Sequence, residues 1–296
     1  MKKRFLLFAL AAIIVLMSMV FAGCNKSAPA DNGGGGSPAP AAANGENGST
    51  APAPAPASGD EYDTYMAAAT ALNNAENVSM EMSTQTTMKI AGQTMDITVS
   101  GLVQLTRTDG KLEMQMDEKM GSAGQEIPMT IYYKDGYMYM NMNGTAKMKM
   151  AQPEDELLQS QNVGAQVFDK QYVKDVKSEK AGDGTKLTFT VDGKGLDALV
   201  KSAENSLGSS ADASLSEAGM AFGDATIIVT LDKSGAITNE DVTMSFTMKA
   251  GGEDVTADIH SVVNNIKIGG ANITFPGDLD SYSEMPSTTG GSSTVG

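Results

Sequence analysis

Apolar side chains recur at every second position through residues 78–150, where they alternate with polar ones. A period of two places successive side chains on opposite faces of a β-strand, so this pattern predicts strands with one buried and one solvated face. Three dipeptides that favour tight hairpin turns interrupt the alternation: Asp109-Gly110, Asp135-Gly136 and Asn143-Gly144. The segment is therefore predicted to form an antiparallel meander of about six strands, with a bulge or bend at Gly101.

The rest of the chain adds helices and further strands to this sheet. A capping box at residues 58–61, followed by apolar residues at helical spacing, predicts a helix that ends near Asn73-Asn74. Residues 208–223 are rich in Gly, Ser and Ala and are predicted to form a mobile loop. The other predicted elements are helices from Pro153 and over residues 196–207, and strands over residues 173–191 and 227–259. This pattern indicates an α+β fold, a curved antiparallel sheet or half-barrel with helices packed on one face.

The first residues have the order of a bacterial export signal. Basic residues 2–4 precede an apolar run that ends in two small residues directly before Cys24, the only cysteine. The run approaches the ~20 residues of a membrane-spanning helix, but no basic stop-transfer cluster follows it. Residues 20–24 resemble the lipobox of bacterial lipoproteins, although Phe21 replaces the usual aliphatic residue. The resemblance implies cleavage before Cys24 and a lipid on its sulfur, in place of a free or disulfide-bonded thiol. The chain is then held by this lipid to the outer face of the bacterial cell membrane.

Composition divides the chain into four parts. They are a signal peptide (1–23), the lipidated cysteine with a disordered Ala/Pro/Gly linker (24–58), a folded domain (59–285) and a disordered tail (286–296). As a flexible coil, the linker spans roughly 30–35 Å, so it is predicted to lift the domain off the membrane.

The charge of the chain excludes one class of partner. The formal net charge is −15, and removal of the three basic residues of the signal peptide leaves −18, with Arg107 as the only remaining arginine. A strongly acidic protein with so few guanidinium groups is poorly suited to phosphate backbones, so nucleic-acid binding is not expected. Acidic membranes would also repel the domain, so its membrane contact is predicted to depend on the lipid anchor.

The order of elements resembles that of the LolA/LolB and LppX/LprG group of envelope lipoproteins and carriers. The segments 132–140, 147–150 and 171–175 resemble more closely a family of uncharacterised Firmicutes lipoproteins assigned to that fold, over roughly residues 60–285. The resemblance implies a LolA/LppX-like half-barrel, in which the wider group binds acyl chains between sheet and helices. No motif fixes ligand residues in that group, so none is transferred to this chain.

Methionine is unusually frequent, with 18 residues after the signal peptide, many of them in Met-x-Met pairs. Period two places both members of a pair on one face of a strand. Three interpretations remain open: a core filled by methionine, a flexible wall for an apolar ligand such as a lipid, or a Cu(I) site made of thioethers. The predicted ligand wall consists of Met80, Met82, Met88, Met95, Met114, Met116, Met129, Met138, Met140 and Met142.

Other candidate groups are sparse. Lys147 and Lys149 could lie at the rim of a lipid site, although solvated edge-strand lysines are the favoured explanation. His260, the only histidine, has neither a nucleophile elbow nor a free cysteine to form a triad, and no cofactor or metal motif occurs. The leading hypothesis is a non-catalytic lipoprotein that binds a lipid or other apolar molecule. The alternatives are a scaffold or sensor domain that binds a protein or wall partner, and Cu(I) binding.

Overall fold

A computed structural model describes residues 61–122, 124–154, 157, 168–197, 220–250 and 253–285. The predicted signal peptide, the predicted linker with Cys24 and the predicted C-terminal tail lie outside these residues. Among the described residues, the one α-helix of more than two turns is α1 (Glu61–Asn73). The strands are β1 (Asn77–Ile90), β2 (Gln93–Thr108), β3 (Lys111–Ser122), β4 (Gln125–Lys134), β5 (Tyr137–Met142), β6 (Ala146–Ala151), β7 (Val173–Ala181), β8 (Gly184–Val191), β9 (Ala221–Phe222), β10 (Ala225–Leu231), β11 (Ile237–Ala250), β12 (Glu253–Ile268) and β13 (Ser283–Glu284).

These strands form one open sheet in the order β13-β6-β5-β4-β3-β2-β1-β12-β11-β10-β8-β7, with β9 paired to β11. The predicted six-strand meander is confirmed as β1–β6, and the predicted later strands are confirmed as β7, β8 and β10–β12. At the three turn dipeptides, Asp109, Asp135 and Asn143 adopt positive φ and are each followed by a glycine with positive φ. This backbone conformation suits tight hairpins because it matches the twist of the paired strands.

One face of the sheet, termed the core face, carries the buried side chains of β1–β4, β8 and β10–β12. The helix α1 packs against this core with its buried residues, and the rings of Tyr65 and Phe189 lie 5.0 Å apart. Arg107 holds the end of α1, since its guanidinium donates to the carbonyls of Asn73 and Ala75 at 3.1 and 3.3 Å. The predicted stop near Asn73-Asn74 is therefore confirmed.

The other two predicted helices lie mostly outside the described residues. Residues 154 and 157 are helical, as are residues 193–197, and Leu157 and Leu196 are buried in the core. Packing of several helices on one face of a half-barrel therefore stays a prediction, while the open antiparallel sheet is observed.

Two predictions about local structure, a bulge at Gly101 and a loop through residue 223, are corrected. Pairing of β2 continues without a register shift through Gly101, so there is no bulge. The glycine is needed instead because a Cβ there would lie 2.3 Å from the backbone oxygen of Asp117 on β3, which is too close for any side chain. The last residues of the predicted mobile loop also include β9, whose Phe222 pairs with Phe246; residues 208–219 lie outside the described part.

The segment 270–285, termed the strap, was not predicted from the sequence pattern. It crosses the outer face of the sheet, opposite the core face, from β1 towards β6. Its backbone N–H groups donate to side-chain amide oxygens on three successive strands, in the pairs Ala271–Asn77, Asn272–Gln104 and Thr274–Gln115, at 2.7, 2.7 and 3.2 Å. The strap ends in β13, which pairs in parallel with β6 and makes the sheet mixed.

Candidate functional site

All ten methionines of the predicted ligand wall lie on the core face. The strand register pairs Met80 with Val103, Met116 with Ile131 and Met138 with Tyr133, and the pairing of β1–β6 runs without interruption from strand to strand. Since alternate residues share a face, this register brings every methionine of β1–β6 to the same side of the sheet. Whether they bind a ligand stays a prediction.

The exposure of these methionines changes along the sheet. Met88 and Met114 are 1% and 0% exposed, and Met80 and Met116 are also buried. On β4–β6 the methionines are only half-buried, although they share the same face. We term this group the methionine wing, and its members are Met129, Met138, Met140, Met142, Met148 and Met150. The core interpretation therefore fits the centre of the sheet, while the wing retains accessible thioether surface.

The methionines of the wing lie in contact positions across neighbouring strands. Met129 pairs with Met142 between β4 and β5, and Met138 and Met140 pair with Met150 and Met148 between β5 and β6. Directly paired residues of antiparallel strands have Cβ atoms about 4.5–5.5 Å apart, so these side chains form one continuous apolar patch. Ile127, which is 51% exposed, lies on the same face of β4 as this patch.

Lys147 and Lys149 do not lie beside this patch. They alternate with Met148 and Met150 on β6 and therefore point to the outer face. There Lys147 pairs with Asp278 of the strap and Lys149 with Glu284 at 3.7 Å. The hypothesis that these ammonium groups line the rim of a lipid site is therefore wrong, because both are bound to carboxylates on the opposite face.

A carboxylate that sequence reasoning missed lies next to the wing. Glu118 follows Met114 and Met116 in the apolar register of β3 and pairs with Gly101 on β2 and Met129 on β4. Burial raises the pKa of the Glu118 carboxyl above its usual range. The signal was present in the sequence, since an acid replaces an apolar residue in the run Met114-x-Met116-x-Glu118-x-Met120.

A second missed carboxylate lies in the core itself. Glu240 on β11 is 5% exposed, occupies the apolar register of that strand, and its Oε1 atom has no hydrogen-bond partner in the described part of the chain. Burial raises its pKa to about 8, so at neutral pH the group is largely protonated. Nearby on the same face, the hydroxyls of Thr84 and Ser261 hydrogen-bond to each other at 2.9 Å.

The family model that matches residues 62–276 is described as "Family of unknown function (DUF6612)". The chain belongs to this family. The match begins in α1 and ends within the strap, so the wing, Glu118 and Glu240 are all part of the DUF6612 domain. The sequence resemblance to an uncharacterised family is thereby confirmed in its coarse form, whereas the Firmicutes and lipoprotein assignments stay predictions. No curated protein matches the chain.

Solved structures that are similar to this DUF6612 chain show low identity. A putative outer membrane lipoprotein-sorting protein domain from Vibrio parahaemolyticus is 7% identical, with a TM-score of 0.27, 74% of this chain covered and 96% of that one. A DUF1329 family protein from Desulfovibrio piger is 9% identical, with a TM-score of 0.24 and coverage of 72% and 93%. The ywiB protein from Bacillus subtilis is 7% identical, with a TM-score of 0.19 and coverage of 63% and 92%. The sorting function in the first description is that of the Vibrio protein.

Other chemistry in the described residues of the DUF6612 domain is limited. His260 lies on the outer face, where its Nε2 is 3.0 Å from Asp241 Oδ1. No group of three or more His, Cys, Asp or Glu side chains with metal-binding geometry occurs among the described residues. No helix in the described ranges is long and apolar enough to cross a membrane. The methionine wing with Glu118 is therefore the candidate site.

Proposed function

We propose that this protein is an extracytoplasmic, non-catalytic lipoprotein that binds a lipid or other apolar molecule on its methionine wing. The observation that carries the proposal is the burial gradient of one continuous methionine face. Met80, Met88, Met114 and Met116 on β1–β3 are buried, whereas the methionines of β4–β6 are all partly exposed, as are Met82 and Met95. Thioether side chains are flexible and polarizable, so they adapt to ligands of different shape.

The size of the apolar contribution supports such a role. Covering an additional 200 Å² or so of apolar surface at about 25 cal/mol/Å² contributes roughly 5 kcal/mol, which offsets a substantial part of the entropy lost on binding. Lys147 and Lys149 do not oppose this burial, since they point to the other face, and among the described residues Glu118 is the one charged side chain that adjoins the wing on its own face. The wing therefore contributes to affinity through the apolar surface area that a ligand covers, and other groups must provide selectivity among ligands.

The location is proposed from the sequence. In this proposal a lipid on Cys24 anchors the chain to the outer face of the cell membrane, and the linker at residues 25–58 gives the domain a reach of roughly 30–35 Å. A domain on such a tether contacts the membrane surface or partners close to it. The acidic surface keeps the domain itself away from anionic headgroups.

Native mass spectrometry of the full chain, purified from the membrane fraction in a removable detergent, tests the proposal. We expect a non-covalent adduct, in addition to the lipid on Cys24, that organic extraction releases as an apolar molecule. The double variant Met140→Gln with Met142→Gln should lose the adduct because two polar amides replace the thioethers of the wing. Met285→Gln, the same change at an exposed methionine of the strap, is the matched control and should retain it.

The outcome also separates the alternatives. If neither the natural chain nor the control carries an apolar adduct, and none forms on addition of acyl-chain ligands, the binding proposal fails. A scaffold or sensor domain that binds a protein or wall component would then remain. Loss of the adduct from Met285→Gln as well would place the binding site away from the wing.

A second candidate function, Cu(I) binding, is favoured by the paired thioethers. Met138 faces Met150 and Met140 faces Met148 on adjacent strands, and soft thioethers select Cu(I). Titration of Cu(I) against a competing chelator tests this function, with Met138→Leu plus Met140→Leu as the variant that keeps the apolar volume but removes sulfur. Copper that remains with the chelator throughout would contradict it.

A further inference from the structure

Glu118 is a carboxylate surrounded by apolar residues in the candidate site. Across the sheet its neighbours are Gly101 and Met129, and along its own strand the adjacent core-face residues are Met116 and Met120. The side chain is half-buried, and within the described part of the chain its carboxylate has no hydrogen bond and no ion pair. An ionised carboxylate in apolar surroundings is costly unless a partner of opposite charge or a donor satisfies it.

Gly101 places no side chain beside this carboxylate. It is the direct cross-strand neighbour of Glu118 and presents no side chain to the core face. Any residue with a Cβ would collide with the backbone of Asp117 at 2.3 Å. The close approach of β2 and β3 therefore fixes a glycine at the position where a side chain would otherwise cover Glu118.

The core face of β1–β6 holds no free cation to pair with Glu118. By register, the other charged side chain on this face of the six strands is Arg107, and its guanidinium is bound to the carbonyls of Asn73 and Ala75 at the end of α1. The lysines of β3–β6 alternate with the apolar residues and lie on the outer face. Within these described strands, Glu118 is therefore the one charged side chain beside the wing on this face, in a chain whose formal net charge is also negative.

We infer that the molecule bound by the methionine wing is a cationic amphiphile, whose amine or ammonium group pairs with the Glu118 carboxylate while its apolar chain lies on the wing. This inference rests on the proposed function and names its ligand class. An anionic amphiphile would bring a like charge next to Glu118, and a neutral one would supply at most a hydrogen bond without the opposite charge.

The charge state of Glu118 adds a pH signature. A bound cation favours the ionised carboxylate, whereas burial favours the neutral one, so binding of a cation lowers the pKa that burial has raised. Affinity for a cationic amphiphile should therefore increase as the pH rises through the pKa of Glu118. Binding of a neutral amphiphile should show no such increase.

The experiment uses three photoreactive probes that share one diazirine-bearing alkyl chain and end in an amine, an alcohol or a carboxylate. Each probe is crosslinked to the full chain in its own membranes, and labelled peptides are identified by mass spectrometry. We expect the amine probe to label peptides of β3–β6 most efficiently. Glu118→Gln should reduce labelling by that probe about tenfold, as expected for loss of a charge-assisted contact.

The matched control is Glu113→Gln, which changes the same residue type on the outer face of the same strand. Glu113 pairs with Lys134 at 3.6 Å and does not face the wing. Labelling by the amine probe should be unchanged in this variant. Circular dichroism of both variants checks that the sheet remains folded.

The possible results distinguish the two proposals. If no probe labels the wing, the proposed function fails. If all three probes label it equally and Glu118→Gln has no effect, the wing binds apolar molecules but the inference about their charge is overturned. Preferential labelling by the carboxylate or the alcohol probe overturns it as well.

Discussion

Replacing Glu240 with glutamine should make the folded chain more stable at neutral pH, and the gain should shrink as the pH falls. Glu240 is almost fully buried on the core face, and burial raises its pKa from 4.5 to about 8. The folded chain therefore keeps a proton on Glu240 that the unfolded chain releases above pH 4.5. Its stabilising contribution is complete below that pH and is lost progressively up to pH 8.

The magnitude follows from the two pKa values. The free energy of unfolding falls by about 1.4 kcal/mol per pH unit between the unfolded and the folded pKa. At pH 7 the natural chain has lost roughly 3 kcal/mol relative to pH 4, and by pH 8 roughly 4 kcal/mol. Glutamine has a similar shape and does not ionise, so Glu240→Gln should avoid this loss.

Urea unfolding of residues 25–296 at pH 5, 7 and 8.5, followed by circular dichroism, measures the effect. The difference between Glu240→Gln and the natural chain should be small at pH 5 and should increase to a few kcal/mol at pH 8.5. Glu126→Gln, an exposed carboxylate at the start of β4, is the control and should follow the natural chain at each pH. A stability difference that stays constant from pH 5 to 8.5 would refute the reasoning, because the pKa of Glu240 would then be the same in the folded and the unfolded chain.

Substitutions at three further positions test the packing described above. Gly101→Ala should lower the free energy of unfolding by about 1–3 kcal/mol, since its Cβ would collide with the backbone of Asp117; calorimetry measures the shift. Arg107→Met should cost about 1–2 kcal/mol because the carbonyl of Asn73 loses its donor, and amide exchange should accelerate at the end of α1. Tyr282→Phe should leave stability unchanged or raise it by about 1 kcal/mol, because the hydroxyl is buried without a partner in the described residues. Tyr282→Ala should instead cost roughly 3–5 kcal/mol by thermal unfolding.

The meander could be predicted because its information is local. Each hairpin is encoded by a turn dipeptide and by a period of two on both sides of it, and Asp109, Asp135 and Asn143 adopt the predicted positive φ. The same alternation predicted that the methionines share one face. A shift in register of one residue would move every side chain of a strand to the opposite face, so the buried face fixes the register. Local pattern was sufficient here because neighbouring strands in the sheet are also neighbours in the sequence.

The strap could not be predicted because its contacts are made by single residues far apart in sequence. The backbone N–H of Asn272 donates to the side chain of Gln104, and Tyr282 packs edge-on against Tyr139 at 5.6 Å between ring centroids. No periodic sequence pattern predicts either contact. Glu118 and Glu240 differ from the strap in this respect. Both are acids at positions where the alternation requires an apolar residue, so a search for such exceptions would have found the two carboxylates of the core face.

The strap also explains how the wing can stay ordered while its methionines remain half covered. Ordering short strands such as β5 and β6 costs conformational entropy that burial on the core face does not fully offset. On the outer face, however, Tyr139 packs against Tyr282, Lys147 pairs with Asp278, and β13 adds backbone hydrogen bonds to the edge of β6. The outer face thus stabilises these strands independently of what covers their other side. A sheet held in this way can expose a methionine surface to a ligand without depending on that ligand to fold.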